Sequence, residues 1–374
     1  MAYLLNHNGE GGITCPLAMT DGLVQLLEER GTLEQRARYL PLLHNADCET
    51  PLTAGQFVTE KQGGSNVSEN ETEAEKQKDG SWRLTGLKWF CSNPGELWVT
   101  TAKPRGSNHI ALFLMPRKLS DGRLNDAHIL RLKDLSGTRG KATAEVEFKG
   151  AYAELIGRAS RGLPLLLGTV LRTSRIHVAA ASLGFLRRAE LEASIFCRER
   201  IVLGSPAAKF SHVRKELEAL ARLRKSASLA FFAMLDAVEN KSPAADVLVP
   251  MMKIHISQMA TDGVRRARLL LAGHGTLRDF SILPRLTEDA LIQEIWEGTH
   301  PILAGHAAKA LLRPRSGSAF RALLHPDDQE RLSERTRRLA AAGAPEREEA
   351  ALPLCERAFS YLVASQAGAA AAAA

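Results

Sequence analysis

Ile295-Trp296-Glu297-Gly298-Thr299 sets one acid between an apolar, aromatic pair and a glycine, just after Leu283-Pro284-Arg285-Leu286-Thr287-Glu288-Asp289-Ala290. A carboxylate beside Trp296 and Ile295 is poorly hydrated. Poor hydration raises a carboxyl pKa and makes the group a stronger base. The same five residues also fit an exposed helix-start glutamate, since single acids in turns are common. What separates the two readings is a second segment, Phe57-Val58-Thr59-Glu60-Lys61-Gln62-Gly63-Gly64-Ser65-Asn66, and the order in which the two occur.

Around these segments the composition sets bounds. With 374 residues and 45% hydrophobic content, the chain can bury a large core and form two or three domains. Aromatics make up only 5%, while Ala, Leu and Arg are abundant, a bias that suits helices. Cys15, Cys48, Cys91, Cys197 and Cys355 are scattered, without a Cys-x-x-Cys pair or a His at ligand spacing. That pattern predicts no disulfide framework and no metal site, and fits a reducing, cytoplasmic setting. Met1 to Gly12 lacks a basic segment followed by a long apolar one, so no signal peptide is expected. No run reaches the roughly 18 apolar residues of a membrane span. The longest, Leu163 to Leu171, is broken by Pro164 and Gly168. The formal net charge of +7 would attract polyanions, whether nucleic acid, nucleotides or coenzyme A; a merely solubilising excess fits as well.

Along the chain, residues 1–55 read as helix and loop, with helical spacing in Asp21–Arg30 and a second short helix over Leu33 to Leu43. Residues 56–150 change character. Trp82 to Phe90, Leu97 to Thr101, Ile110 to Met115 and Ala144 to Phe148 are short β-rich runs separated by turn residues, which predicts an antiparallel sandwich or barrel. No strand–GxGxxG–helix unit is present, which disfavours a Rossmann site. Residues 151–313 are strongly helical. Four segments, Leu163–Arg200, Ser211–Glu239, Ala244–Gly273 and Pro301–Leu312, carry apolar residues at helical spacing and predict a four-helix bundle, with Pro206, Pro250 and Pro284 near boundaries. Residues 314–374 form a mixed-charge tail, helical or disordered, with a helix start at His325-Pro326-Asp327-Asp328.

This order of pieces, with Thr-Glu-x-x-Gly-Gly-Ser opening the β piece and Trp-Glu-Gly-Thr closing the bundle, resembles the acyl-CoA dehydrogenase family. The finer resemblance is to its AidB-like branch of bacterial alkylation-response flavoproteins. It rests on TEKQGGS (Thr59–Ser65), GLKWFCS (Gly86–Ser92), RLKDLSGTR (Arg131–Arg139), AEVEF (Ala144–Phe148) and IWEGT (Ile295–Thr299), over about residues 50–313. The resemblance implies a mainly α chain: a partial N-terminal helical domain, a central β-sandwich or barrel and a C-terminal four-helix bundle. It also implies FAD as cofactor, an acyl-CoA substrate, and a homodimer or homotetramer with no membrane partner.

For single residues the resemblance implies the following. Glu297 removes the α proton of the acyl thioester, and its backbone N–H stabilises charge on the thioester carbonyl. Val58, Thr59, Phe90 and Ser92 meet the flavin ring along its pyrimidine edge and N5, and Thr299 also touches the cofactor. Ser65 lines the acyl–pantetheine side. Arg200, and Gly273 within Ala272-Gly273-His274-Gly275, approach the flavin diphosphate, partly from a neighbouring subunit; the planar fork of Arg suits phosphate. From the residues alone, Trp89 and Phe90 also fit plain core packing, and Arg200 a surface arginine.

The sequence departs from the family on the adenine side. Ala272 stands for the first glycine of the turn, Leu269 for a Gln, Leu203 for a Phe, Ser211 for another Gln, and Glu288-Asp289 for an Arg-Asp pair. The stretch before residue 50 is also shorter than the family's N-terminal domain. Two further functions therefore stand beside the dehydrogenase: an AidB-like protein binding double-stranded DNA through its arginines, and a flavin-less scaffold. The arginines are interleaved with acids, a pattern usual for a solvated helix face.

Overall fold

A computed structural model describes residues 1–44 and 52–372; Cys48 lies outside the described residues. The chain opens with helices α1 Ala2–Asn6, α2 Gly11–Arg30 and α3 Leu33–Leu43. Seven strands follow: β1 Ala54–Phe57, β2 Glu73–Lys76, β3 Trp82–Ser92, β4 Leu97–Pro104, β5 Ala111–Pro116, β6 Ala127–Leu132 and β7 Thr143–Leu155. Next come α4 Gly162–Leu165, α5 Leu171–Glu199, a hairpin of β8 Ile201–Val202 and β9 Ser205–Pro206, α6 Ser211–Glu239 and α7 Ala245–Leu270. The chain continues through α8 Leu283–Ile295, α9 His300–Leu312, α10 Pro314–Arg321, α11 Pro326–Ala341 and α12 Ala344–Ala372. It packs as two compact units, Gly11–Ser174 and Met1–Glu10 with Arg175–Ala374.

In the first unit the strands close into a barrel. β4, β2, β3, β7 and β5 are paired in turn, and β5 pairs back to β4. Full closure removes the free edges that an open sheet would expose. The ring is not wholly antiparallel as the sequence predicted. β1 and β2 share one edge of β4, both parallel to it, at Leu97–Thr100 and at Lys103–Pro104. Between them the chain leaves the barrel wall over residues 58–72, which places Thr59–Ser65 on an excursion at the seam. The runs around Trp82, Leu97, Ile110 and Ala144 are β3, β4, β5 and β7. β1, β2 and β6 carry too little alternating apolar pattern to stand out in the sequence.

Side-chain alternation explains why β4 and β5 are buried on both faces. Trp98, Phe113 and Met115 point into the barrel with Phe57 and Trp82, while Leu97, Val99, Leu112 and Leu114 pack outward against Leu23, Leu26 and Leu27 of α2. Trp82 meets Phe113 edge-on at 5.4 Å, and Phe57 tilts on Trp98 at 5.1 Å. α3 starts on a capping box between Thr32 and Gln35.

The second unit is helical. On α6, Leu217, Leu220 and Leu223 face the core at the spacing the sequence showed. α7 is buried nearly all round from Ala245 to Ser257, so it is the central helix of the unit. Pro250 lies inside α7 rather than at its boundary; packing on every side carries the helix through the missing hydrogen bond. Pro284 is the second residue of α8, where its absent N–H costs nothing. α8 itself joins the expected four segments as a further helix, and the expected segment Leu163–Arg200 is helical to Glu199, with a π-helical turn at Leu166–Val170. Helix continues through the tail, whose Phe320, Leu332, Leu354 and Leu362 join the same core. No helix among the described residues is long and apolar enough to cross a membrane.

Candidate functional site

Within the barrel unit the structure ties the segment of Val58 and Thr59 to β3, the strand that carries Phe90 and Ser92. The Trp89 N–H donates to the Thr59 carbonyl at 2.9 Å, which ties the first motif to β3. Asn70 donates to the Val58 carbonyl at 2.8 Å, and Thr100 to the Phe57 carbonyl at 2.6 Å. Three successive carbonyls are thus fixed by donors from three other segments. Ser92 and Thr143 share a hydroxyl–hydroxyl bond of 3.1 Å. Phe90 stays 47% exposed although it sits on a central strand of the ring. Lys133 lies 3.8 Å from the Trp89 ring centre and 4.6 Å from that of Phe90, close enough for cation–π attraction, so Trp89 is more than core packing. Ser65 is exposed on the excursion. A Cβ on Gly64 would come within 2.6 Å of the Thr59 hydroxyl, so only glycine lets the loop close there.

The anchor of this seat is a buried ion pair that the sequence did not single out. Lys88, fully buried, donates to Glu60 Oε1 at 2.6 Å and to Thr101 at 3.3 Å. Glu60 also accepts from the Thr72 hydroxyl at 2.6 Å and from the Thr72 and Glu71 backbone N–H groups. Burial works against both charges, pushing the Glu60 carboxyl up; Lys88 and the other donors outweigh it and hold Glu60 below the usual carboxylate range. The pair spans the excursion and pins its two ends to β3. Glu60 and Lys88 lie 28 residues apart, and no local pattern in the sequence links them.

In the helical unit, Glu297 lies on the turn between α8 and α9. Its backbone is left-handed, with φ 57°, a conformation that costs a non-glycine residue about 1–2 kcal/mol. Such outliers persist where the surroundings over-determine them and cluster at functional sites. Here the surroundings are two buried cations. Arg175 Nε donates to the Glu297 carbonyl at 3.1 Å. Lys253 Nζ donates to the Glu294 and Gly298 carbonyls, both at 2.8 Å. Burial pushes Arg175 down from its ordinary value, and the Glu297 charge opposes that fall. Burial pushes Lys253 down to about 7, with Glu297 opposing and Arg175 adding. The sequence predicted a carboxylate defined by poor hydration; the structure gives half-buried Glu297 two cationic neighbours as well. Neither Arg175 nor Lys253 was visible as a site residue. Thr299 is exposed and caps α9 without a side-chain capping bond.

Arg200 and Gly273 form a separate pair of features. Arg200 is exposed just past the end of α5, its N–H bonded to the Phe196 carbonyl. Phe196 stacks near His274 at 5.5 Å and His274 near Phe280 at 4.7 Å, so an aromatic cluster joins the end of α5 to the Ala272–Thr276 turn. Ala272 there has φ 49°, the left-handed region where glycine is favoured. Arg175 and Arg200 stand 25 residues apart along α5, about 37 Å at helical rise. Arg200 and Gly273 therefore lie at the far end of α5 from Glu297.

Comparison with known proteins places the chain in a family. Residues 55–151 match "Acyl-CoA dehydrogenase, middle domain" and residues 160–312 match "Acyl-CoA dehydrogenase, C-terminal domain". The chain belongs to the acyl-CoA dehydrogenase family. It is 32% identical over 315 residues to the putative acyl-CoA dehydrogenase AidB of Escherichia coli, and 31% over 316 residues to acyl-CoA dehydrogenase family member 11 of Caenorhabditis elegans. These alignments cover 80% and 79% of this chain but only 58% and 51% of the relatives. Among solved structures, Bd2924 in its apo form superposes with a TM-score of 0.86 at 28% identity, over 94% of this chain and 74% of that one. Caenorhabditis elegans ACDH-11, solved in complex with C11-CoA, superposes with a TM-score of 0.85 at 26% identity, over 95% and 67%.

The resemblance sets a glycine where Ala272 stands, and the left-handed φ of Ala272 is a conformation that glycine adopts without strain. Leu203, in place of the family Phe, sits 91% exposed at the tip of the β8–β9 hairpin. No group of His, Cys, Asp and Glu suited to a metal is present among the described residues.

Proposed function

We propose that this chain is an FAD-dependent oxidoreductase acting on the Cα–Cβ bond of an acyl-CoA thioester, with Glu297 as the base. The observation that carries the proposal is the left-handed Glu297 turn, gripped at the carbonyls of residues 294, 297 and 298 by Lys253 and Arg175. A base on a fixed turn keeps its carboxylate at one place, and correct placement of a reacting group is worth orders of magnitude in rate. The barrel residues fit a flavin ring. Phe90 offers an exposed aromatic face, and Ser92 and Thr59 carry hydroxyls on the two segments tied together at Trp89. Bound FAD would supply the acceptor for the β hydrogen as hydride. Glu297 takes the α proton, and its backbone N–H faces the thioester oxygen in this reading. Ser65 contacts the pantetheine arm, and Thr299, Arg200 and Gly273 contact the cofactor. Because Arg200 and Gly273 stand a helix length from Glu297, we assign them to the flavin of a second copy, which makes the working form a homodimer or homotetramer.

Duplex DNA is the weaker reading. Arg187 and Arg224 both bond Glu190, Arg188 bonds Glu192, Arg266 bonds Asp262 and Glu216, and Arg338 bonds Glu334. Paired arginines have less charge to give to phosphates.

An absorption spectrum of the purified protein with added FAD, followed by dye-coupled oxidation of a short acyl-CoA, tests the proposal. Bound flavin and a rate that falls about 10²–10⁴-fold in Glu297→Gln are expected. A protein that stays colourless with FAD, or a Glu297→Gln variant of unchanged rate, refutes it.

A further inference from the structure

Lys253 is the most unexpected side chain in the helical unit. It is completely buried on the central helix α7, whose Val249, Met252 and Ile256 are buried as well. Taking an ammonium out of water is costly, so burial by itself disfavours a lysine at this position. Packing therefore does not explain a lysine here. Its hydrogen bonds do. The Glu294 carbonyl belongs to the last turn of α8, where helix carbonyls have no partner within the helix and where a cation meets the negative end of the helix dipole. The Gly298 carbonyl lies on the other side of Glu297, just before α9. One ammonium thus clasps both ends of a five-residue segment whose interior residues are Ile295, Trp296 and Glu297. Protonated or neutral, an amine has the two N–H bonds this needs.

We propose that Lys253 is a positioning residue: by holding the carbonyls of Glu294 and Gly298 it keeps the Glu297 turn left-handed and so fixes where the carboxylate points. This rests on the reading of Glu297 as the base. Without the clasp, only Arg175 on the Glu297 carbonyl opposes relaxation of Glu297 toward ordinary backbone angles, since the left-handed form costs about 1–2 kcal/mol. The carboxylate then moves, and a displacement of about 1 Å lowers a rate by up to about 10²-fold.

The test uses the full chain and the variants Lys253→Met, Lys253→Gln, Glu297→Gln and Lys253→Met/Glu297→Gln. Backbone hydrogen exchange over residues 294–300 and the emission of Trp296, the one tryptophan of the helical unit, report the turn without any turnover. We expect Lys253→Met to fold, with an unfolding temperature lowered by the two carbonyls left without a donor. Its 294–300 amides exchange about tenfold faster or more, and Trp296 emission shifts. Its kcat falls about 10–100-fold with KM within about threefold. Lys253→Gln, which keeps two donors on a shorter arm, falls between. The double variant is no slower than Glu297→Gln, because Lys253 acts only through Glu297. Should Lys253→Met not fold, Lys253→Gln carries the same comparisons. Unchanged exchange and emission in the folded variant overturn the proposal, whatever the rates. So does a parental kcat in Lys253→Met when Glu297→Gln is slow, and that result leaves Glu297 as the base. A parental rate in Glu297→Gln removes the base reading instead, and the exchange data then decide the clasp alone.

Discussion

Replacing Lys88 by Met removes the cation that pins the first motif to β3. Lys88 is fully buried and Glu60 nearly so, with side-chain exposures of 0% and 5%. The variant leaves Glu60 as a buried carboxylate with three neutral donors, from Thr72 and Glu71. Breaking a buried pair on one side costs about 3–5 kcal/mol. For a unit of this size each kcal/mol lowers the unfolding temperature by about 2–4 °C, so a drop of about 6–20 °C is expected. Glu60→Gln/Lys88→Met should recover about half of that loss, because the stranded charge is gone and the Gln oxygen still accepts from the Thr72 hydroxyl and N–H, while its amide nitrogen leaves the Glu71 N–H without an acceptor. The pH dependence has a definite sign. In the parent, Glu60 lies below its unfolded value, so the pair stabilises above the ordinary carboxylate range and its contribution is lost as pH falls through the folded pKa. In Lys88→Met, burial without a cation raises Glu60, so acid protonates it and relieves the loss. The gap between the two proteins should be widest near neutrality and shrink below about pH 4. Thermal unfolding followed by the barrel tryptophans Trp82, Trp89 and Trp98, across pH 3–8, measures all of this. A Lys88→Met variant within about 1 kcal/mol of the parent at pH 7, or a double variant as unstable as the single one, refutes the argument.

Three other outcomes follow from the geometry. Ala272→Gly relieves a left-handed alanine and should raise stability by about 0.5–1 kcal/mol, measured by denaturant unfolding; a loss would show that the turn is not strained. Gly55→Ala places a Cβ within 2.7 Å of the Asn93 carbonyl and 2.9 Å of that of Ser92. It should cost about 1–3 kcal/mol and weaken flavin binding by displacing Ser92, which titration with FAD would show. His255, stacked on Phe359 at 4.4 Å, is pushed down to about 4, chiefly by burial. A neutral buried histidine loses stability as pH falls from its unfolded value near 6.5 toward 4, by at most about 1.4 kcal/mol per pH unit. His255→Phe keeps the stack and should flatten that slope; an unchanged slope would assign it elsewhere.

The sequence by itself determined the class of fold, because long helices and alternating strands write their period locally. The spacing of Leu217, Leu220 and Leu223, the β-rich runs at Trp82 and Ile110, and the linear motifs at Thr59 and Ile295 needed no partner to be read. Short strands such as β1 and β2 escaped, because their place depends on β4 rather than on their own residues. What only the tertiary structure decided is how the two motifs are held. Lys88 reaches Glu60 across 28 residues, and Lys253 and Arg175 reach the Glu297 turn from separate helices. A buried cation looks in the sequence like any other Lys or Arg on a helix. Its meaning lies in which carbonyls and carboxylates surround it once water is excluded, and packing supplies those neighbours from distant parts of the chain.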